Sequence, residues 1–177
     1  MFPLRVRNAS TFETTTSFSI CHRYPVRHSS RMRRTIDGGI ELDDSKERID
    51  RGEVHRFLSE VAYWSLGRSR ATQDRLIDEA ARVVGLYDDD KQIGFCRAAT
   101  DGTSFVYLAD VYVLEEYRGR GLGEELVREM VDQGDLSHLR WLLHTRDMHR
   151  LYRKFGFEDP SYRVMERPPT RNASDSG

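Results

Sequence analysis

Cysteine is nearly absent. Among 177 residues only Cys21 and Cys96 occur, without metal-ligand spacing or the density of a disulfide framework. The scarcity argues against a structural zinc and against thiol catalysis, so no metal is expected and a reducing, cytoplasmic setting is favoured. Long apolar runs are missing too: nothing approaches the ~20 residues that span a bilayer, and mean hydropathy is −0.67. The expectation is a soluble protein with no membrane partner. Internal repeats and an inner linker are also lacking, and this length suits one domain with a real core.

Charge of one sign is scarce only in the sum. The chain carries 28 basic and 29 acidic residues, for a net charge of −1. Residues 1–36 hold Arg5, Arg7, Arg23, Arg27, Arg31, Arg33 and Arg34 against Glu13 alone, which leaves about −7 on the remainder. The leading segment is rich in Ser, Thr and Arg and has no sustained apolar period, so it is expected to be disordered. Three origins stay open for it: an extension ahead of a true initiator at Met32, a flexible tail, or a targeting segment. Residues 37–167 are expected to form the domain, and 168–177 a polar, unstructured tail. A nucleic-acid partner is not expected, because no basic-aromatic motif accompanies the leading arginines and the body is acidic.

Periodicity lays out the domain. A short strand is expected from Gly39 to Asp43. Val54, Phe57, Leu58 and Val61 recur at helical spacing. Gly67 breaks that pattern, and Ser69 can cap a second helix with Leu76, Ile77 and Ala80 as its apolar stripe. VVGLY and KQIGFCRAA flank the acidic turn at 88–91 and predict two antiparallel strands. SFVYLADVYVL, residues 104–114, is apolar on both sides and predicts a strand through the middle of a sheet. A helix follows with Leu122, Leu126, Val127, Met130 and Val131 on one face. RWLLHT (140–145) predicts another buried strand, RDMHRLYRKFG a short helix ending at Gly156, and SYRVMER (161–167) a closing strand. The order of elements implies one α/β domain with a mixed sheet.

Between the apolar strand and the helix lies RGRGLG, Arg118–Gly123. A phosphate needs converging donors without intervening side chains, and a glycine turn entering a helix offers bare N–H groups and a positive helix end. Arg118 and Arg120 add charge that suits a pyrophosphate. Spacing excludes two familiar loops: the lysine-serine ending of a P-loop is replaced by Glu124 and Glu125, and glycines at 119, 121 and 123 miss the dinucleotide fingerprint.

VYVLEEYRGRGLGEELV resembles the acetyl-CoA-binding motif of the GNAT superfamily of N-acetyltransferases, in which Arg or Gln is followed after two residues by Gly, one residue, and Gly or Ala. Arg118, Gly121 and Gly123 fit in register. LYRKFGF, residues 151–157, resembles the family's later helix, about thirty residues on. The resemblance covers roughly residues 38–167 and implies a GNAT-like α/β (α+β) domain whose mixed, mostly antiparallel sheet is flanked by helices. It also implies acetyl-CoA as co-substrate, with the pantetheine arm pairing to Val111, Tyr112 and Val113 and the pyrophosphate on Gly119, Arg120, Gly121, Leu122, Gly123 and Glu124.

By the same resemblance Tyr152 protonates the departing thiolate. An alkylamine is almost wholly protonated at pH 7, so a base is needed; Asp110, His144 or a water are the alternatives. Two positions depart from the family pattern, with Thr145 and Met148 standing where many relatives carry Asn and Ala. The Thr145 hydroxyl is expected to reach the pantetheine amide. Arg140 replaces a glutamate found in some relatives that modify protein N-termini.

The junction of the first two helices normally walls the acceptor pocket, and it contains Tyr63, Trp64 and Arg68. An arginine clamp there favours an anionic amine, whereas the acidic body favours cationic partners. The function expected is acetyl transfer from acetyl-CoA to a primary amine of a small molecule. Two alternatives stay open: a protein lysine or N-terminal acetyltransferase, and a CoA-binding sensor without catalysis. A homodimer is also left open.

Overall fold

Strands of the expected periods assemble into one sheet in the computed structural model, which describes residues 32–160 and 165–167. They are β1 (Arg33–Thr35), β2 (Ile40–Asp43), β3 (Arg82–Asp88), β4 (Lys91–Thr100), β5 (Phe105–Val113) and β6 (Arg140–Leu142). The six lie side by side in sequence order, every neighbouring pair antiparallel except β5 with β6. The acidic turn joins β3 to β4 through Asp89, whose φ of 51° is a left-handed conformation that a short polar side chain tolerates.

Helices α1 (Arg51–Glu60), α2 (Arg70–Glu79), α3 (Leu122–Asp132) and α4 (His149–Arg153) complete the fold. Asp50 caps α1 by accepting from the Glu53 amide, and Ser69 caps α2 by accepting from Thr72, which satisfies one otherwise orphaned donor at each start. Helix α2 buries Gln73 and Ile77, with Leu76 only partly covered. Neighbouring residues of β5 show that helices cover both faces of the sheet. Tyr112 stacks on Phe57 of α1 with centroids 3.9 Å apart, while Val113 lies beside Gly123 at the start of α3. The core lies between these layers and includes Leu58, Ile77, Leu86, Ile93, Leu126 and Met130, all fully buried. The result is a single α/β domain with a mixed, mostly antiparallel sheet flanked by helices.

Helix α3 is anchored at its far end. Buried Arg82 of β3 donates to the carbonyls of Glu129 (2.8 Å) and Gln133 (2.6 Å) and to the Glu129 carboxylate (3.2 Å). Arg34 of β1 reaches the same carboxylate at 3.1 Å. Charged donors on the last carbonyls satisfy the helix C-terminus, so the opposite end, where the glycine turn sits, is held in a set direction.

Three expectations shift. The leading segment was placed up to residue 36, yet Arg33–Thr35 pairs with Glu41–Asp43 as β1. RWLLHT was expected to be a buried strand; only Arg140–Leu142 pair, and Arg140 and Leu142 are exposed, because β6 touches β5 alone and at its first three residues. The closing strand expected at 161–167 lies largely outside the described residues, and Met165–Arg167 carry no regular structure.

Candidate active site

The chemistry starts from a fault in the sheet. Phe95 pairs with Tyr112 and Arg97 with Ala109, so Cys96 alone faces both Asp110 and Val111. This bulge puts Asp110 at φ 54°, the only left-handed non-glycine residue inside a strand among the described residues. On the other side, β6 pairs only with Phe105, Val106 and Tyr107. From Val111 to Val113 that edge of β5 has no ladder partner among the described residues, so its polar groups are available to an extended ligand.

Strand β5 then feeds the glycine turn. Leu114 is tied to Ile93 (2.8 Å), a single 3-10 turn spans Glu115–Tyr117, and Gly119 and Gly121 take φ of 77° and 78°. Nothing lies within 4 Å of where a Cβ would sit on either glycine, so the turn borders open space. The Leu122 and Gly123 amides belong to the first turn of α3 and have no intrahelical acceptor. Gly123 is different: a Cβ there would meet only Val113 Cγ2 at an ordinary 3.9 Å, so the fold itself does not demand glycine. The Arg118 Nε donates to the Val113 carbonyl at 3.1 Å and holds the turn onto the strand end. Arg120 instead lies over the Tyr117 ring (5.6 Å) and does not border the cleft. Glu124 accepts from Lys154 (2.5 Å) and Arg128 (3.1 Å), and both hold its carboxyl below the usual range, Lys154 foremost.

A cleft of about 610 Å³ joins these parts: Val111–Val113, Arg118, Gly119, Gly121–Glu124 and, across from them, Leu151 and Tyr152. A second cavity of about 670 Å³ adjoins it, bordered by Arg68, Arg97, Tyr107, Asp110, His144, Thr145 and Glu166. Tyr63, Trp64, Val111, Arg146, Asp147, Met148 and Tyr152 border both. Arg146 sits 3.8 Å from the centre of the Tyr63 ring, so the α1–α2 junction and the loop before α4 meet where the two cavities do.

Tyr152 therefore stands at the junction. Its ring meets Phe157 edge-on at 5.8 Å, and no described residue hydrogen-bonds its hydroxyl. Burial pushes its pKa up to about 12, so the phenol keeps its proton throughout the neutral range. A buried phenol on a residue that borders both cavities can hold a proton for a leaving group in one while the nucleophile enters from the other.

The remaining expected residues scatter between these roles. Asp110, 5% exposed, accepts through Oδ2 from Arg97 Nε (2.6 Å) and Arg68 Nη1 (2.9 Å). His144 is on the second cavity, its Nδ1 2.8 Å from the Tyr107 hydroxyl. The Thr145 hydroxyl accepts from the Met148 amide at 3.0 Å and borders the second cavity, away from the glycine turn. That bond leaves the hydroxyl its own proton and a second lone pair. The Tyr112 side chain stacks on Phe57, and its burial pushes its pKa up. Arg97, Tyr107 and Arg146 escaped sequence reasoning. The signal for Arg97 was an arginine inside the apolar run IGFCRAA; Tyr107 and Arg146 offered none.

A donor cleft laid along a split sheet, with a proton-bearing tyrosine between it and a second cavity, is the layout of an acyltransferase. Comparison with known proteins agrees. The family described as "Acetyltransferase (GNAT) domain" matches residues 79–159. A solved structure assigned to the GNAT acetyltransferases, from Xanthomonas campestris pv. campestris, is 34% identical, with a TM-score of 0.70, covering 73% of this chain and 93% of that one. The chain belongs to the GNAT superfamily of acetyltransferases. A curated relative assigned as an acetyltransferase, from Gibberella zeae, is 40% identical over 73 residues, which are 39% of this chain and 41% of that protein. This chain thus spans under half the length of that relative. AAC(6')-Iy, solved with a bisubstrate CoA analogue, shares the fold at 17% identity and a TM-score of 0.53, over 74% of this chain and 99% of its own. Among the described residues no helix is long and apolar enough to cross a membrane.

Proposed function

We propose that the chain is an acetyl-CoA-dependent N-acetyltransferase acting on a primary amine of a small molecule. One observation carries the reading: Tyr152, whose protonated hydroxyl has no hydrogen-bond partner among the described residues, borders both the cleft along β5 and the glycine turn and the cavity beyond it. The residues fit the co-substrate. Open space above Gly119 and Gly121, first-turn amides of α3 and the unpaired edge of Val111–Val113 match a pyrophosphate followed by an extended amide-bearing arm. Acetyl-CoA, when bound, supplies the acyl group as an activated thioester.

The chain's residues divide the work. The β5 edge orients the arm, α3 neutralises phosphate charge, and Tyr152 offers its proton to the sulfur as the thiolate leaves. His144 is better placed than Asp110 to relieve the amine of its proton. Its ring is on the exposed side of the acceptor cavity, while Asp110 Oδ2 is already shared by two guanidiniums. A small acceptor suits the second cavity of about 670 Å³, whose border with the cleft carries the Arg146–Tyr63 contact. The reading includes a cytoplasmic location and no nucleic-acid partner.

Purified protein with acetyl-CoA, screened against a panel of amines while released CoA thiol is followed, tests the reading. Amine-dependent thiol release is the result expected. Tight CoA binding with no release from any amine or peptide would overturn it and favour a sensor.

A further inference from the structure

On one wall of the acceptor cavity two arginines share a single carboxylate. Arg68 and Arg97 converge on one oxygen of Asp110, at 2.9 and 2.6 Å. All three are drawn out of water, with side chains 18%, 11% and 2% exposed. Two guanidiniums against one carboxylate leave one unit of positive charge in this cluster. The donors are unspent as well. Arg97 uses only Nε, and Arg68 only Nη1, which it also gives to Gln73 Oε1 at 2.8 Å. The other guanidinium nitrogens have no hydrogen-bond acceptor among the described residues, yet both side chains border the cavity.

The other charges on the wall stand apart from this cluster. Arg146 and Asp147 face each other at 3.7 Å. His144 is engaged with Tyr107. Glu166 brings the formal charge of the wall to zero, but it adds to burial in raising the Tyr107 pKa and makes no ion pair with Arg68 or Arg97 among the described residues. The bulge supports the arrangement: Asp110 takes the left-handed φ of 54° where it meets both arginines.

We propose that Arg68 and Arg97 form an anion-binding end of the acceptor cavity, so the amine acceptor carries a carboxylate or a phosphate ester. The planar forks of two guanidiniums match either group. Asp110 is then a positioning residue that aligns the forks and keeps the empty site from holding two bare charges. This inference rests on the reading of the second cavity as the acceptor site.

The test is equilibrium binding to protein saturated with CoA, which needs no turnover. Calorimetry compares amino acids with their carboxamides, and phosphoethanolamine with ethanolamine, the two arms separating carboxylate from phosphate. At least one anionic amine is expected to bind tenfold or more tightly than its neutral partner. R68Q and R97Q should each erase most of that preference, R97K should retain part of it, and D110N, which removes the competing carboxylate, should strengthen anion binding. Equal binding of anionic and neutral partners throughout, or a preference that survives both R68Q and R97Q, overturns the proposal. D110N keeps the test decisive if an arginine variant fails to fold, because weaker anion binding in D110N also counts against it. Preferential binding without thiol release from acetyl-CoA would instead sink the acetyl-transfer reading and leave the anion site standing.

Discussion

Replacing Tyr152 by phenylalanine removes one oxygen and little else. The ring stays packed at the cavity junction against Phe157, and the hydroxyl has no hydrogen-bond partner among the described residues, so stability should change by no more than about 0.5 kcal/mol. For a chain of this size that is roughly 2 °C in Tm. The catalytic loss is larger and can be bounded. With the phenol at about 12 and a free thiol near 8.5, full proton transfer in the ground state is uphill by roughly 5 kcal/mol. Tyr152 therefore acts chiefly as a hydrogen-bond donor to charge developing on sulfur. Removing one such donor typically costs about 10²–10³ in kcat, or roughly 3–4 kcal/mol. Steady-state thiol release gives kcat, and direct titration gives acetyl-CoA affinity, which should stay within about twofold because uniform binding is untouched. A further check is pH: a group at about 12 is only ~0.1% ionised at pH 9, so Tyr152 imposes no loss of activity between pH 7 and 9. Turnover within a few-fold of wild type in a folded Tyr152→Phe protein would refute the assignment and leave the tyrosine a packing residue.

Gly123→Ala separates folding from binding. Its Cβ meets only Val113, and alanine in a helix is favoured over glycine by about 0.5–1 kcal/mol, so Tm should rise slightly while CoA affinity falls tenfold or more by titration. Equal or better CoA affinity would remove the glycine turn from the site. Alkaline stability tests the buried phenols: burial raises Tyr152 to about 12 and Tyr87 and Tyr112 further. Above pH 10 the unfolded chain binds fewer protons than the folded one, so stability is level below pH 10 and falls as pH rises toward 12. The slope reaches up to about 1.4 kcal/mol per pH unit for each phenol. Urea midpoints that are flat from pH 9 to 11.5 would contradict this. Leu126→Ala hollows the fully buried face of α3 and should cost about 2–5 kcal/mol in a denaturant melt; a loss below 1 kcal/mol would mean α3 does not rest on the core as described.

Much of this molecule was already written along the chain. Local rules act over a few residues, so Ser69 as a cap, the acidic hairpin at 88–91 and the apolar stripe of α3 follow from spacing and side-chain chemistry alone. The glycine turn was legible for the same reason: strand, RGRGLG and helix are contiguous, and 119 and 121 do take the left-handed conformations that favour glycine. Tertiary structure decided what contiguity cannot reach. Asp110 reads as a lone acid on a strand until a bulge opposite Cys96 brings it to Arg97 and Arg68, residues 13 and 42 positions away. Thr145 is placed on the second cavity rather than on the cleft by the glycine turn, its hydroxyl accepting from the Met148 amide. Arg146 meets Tyr63 only because two loops converge over the cavities. Local chemistry determines which elements form and where a phosphate can sit; the charge balance of the acceptor cavity depends on contacts between distant strands and loops, which only the folded chain brings together.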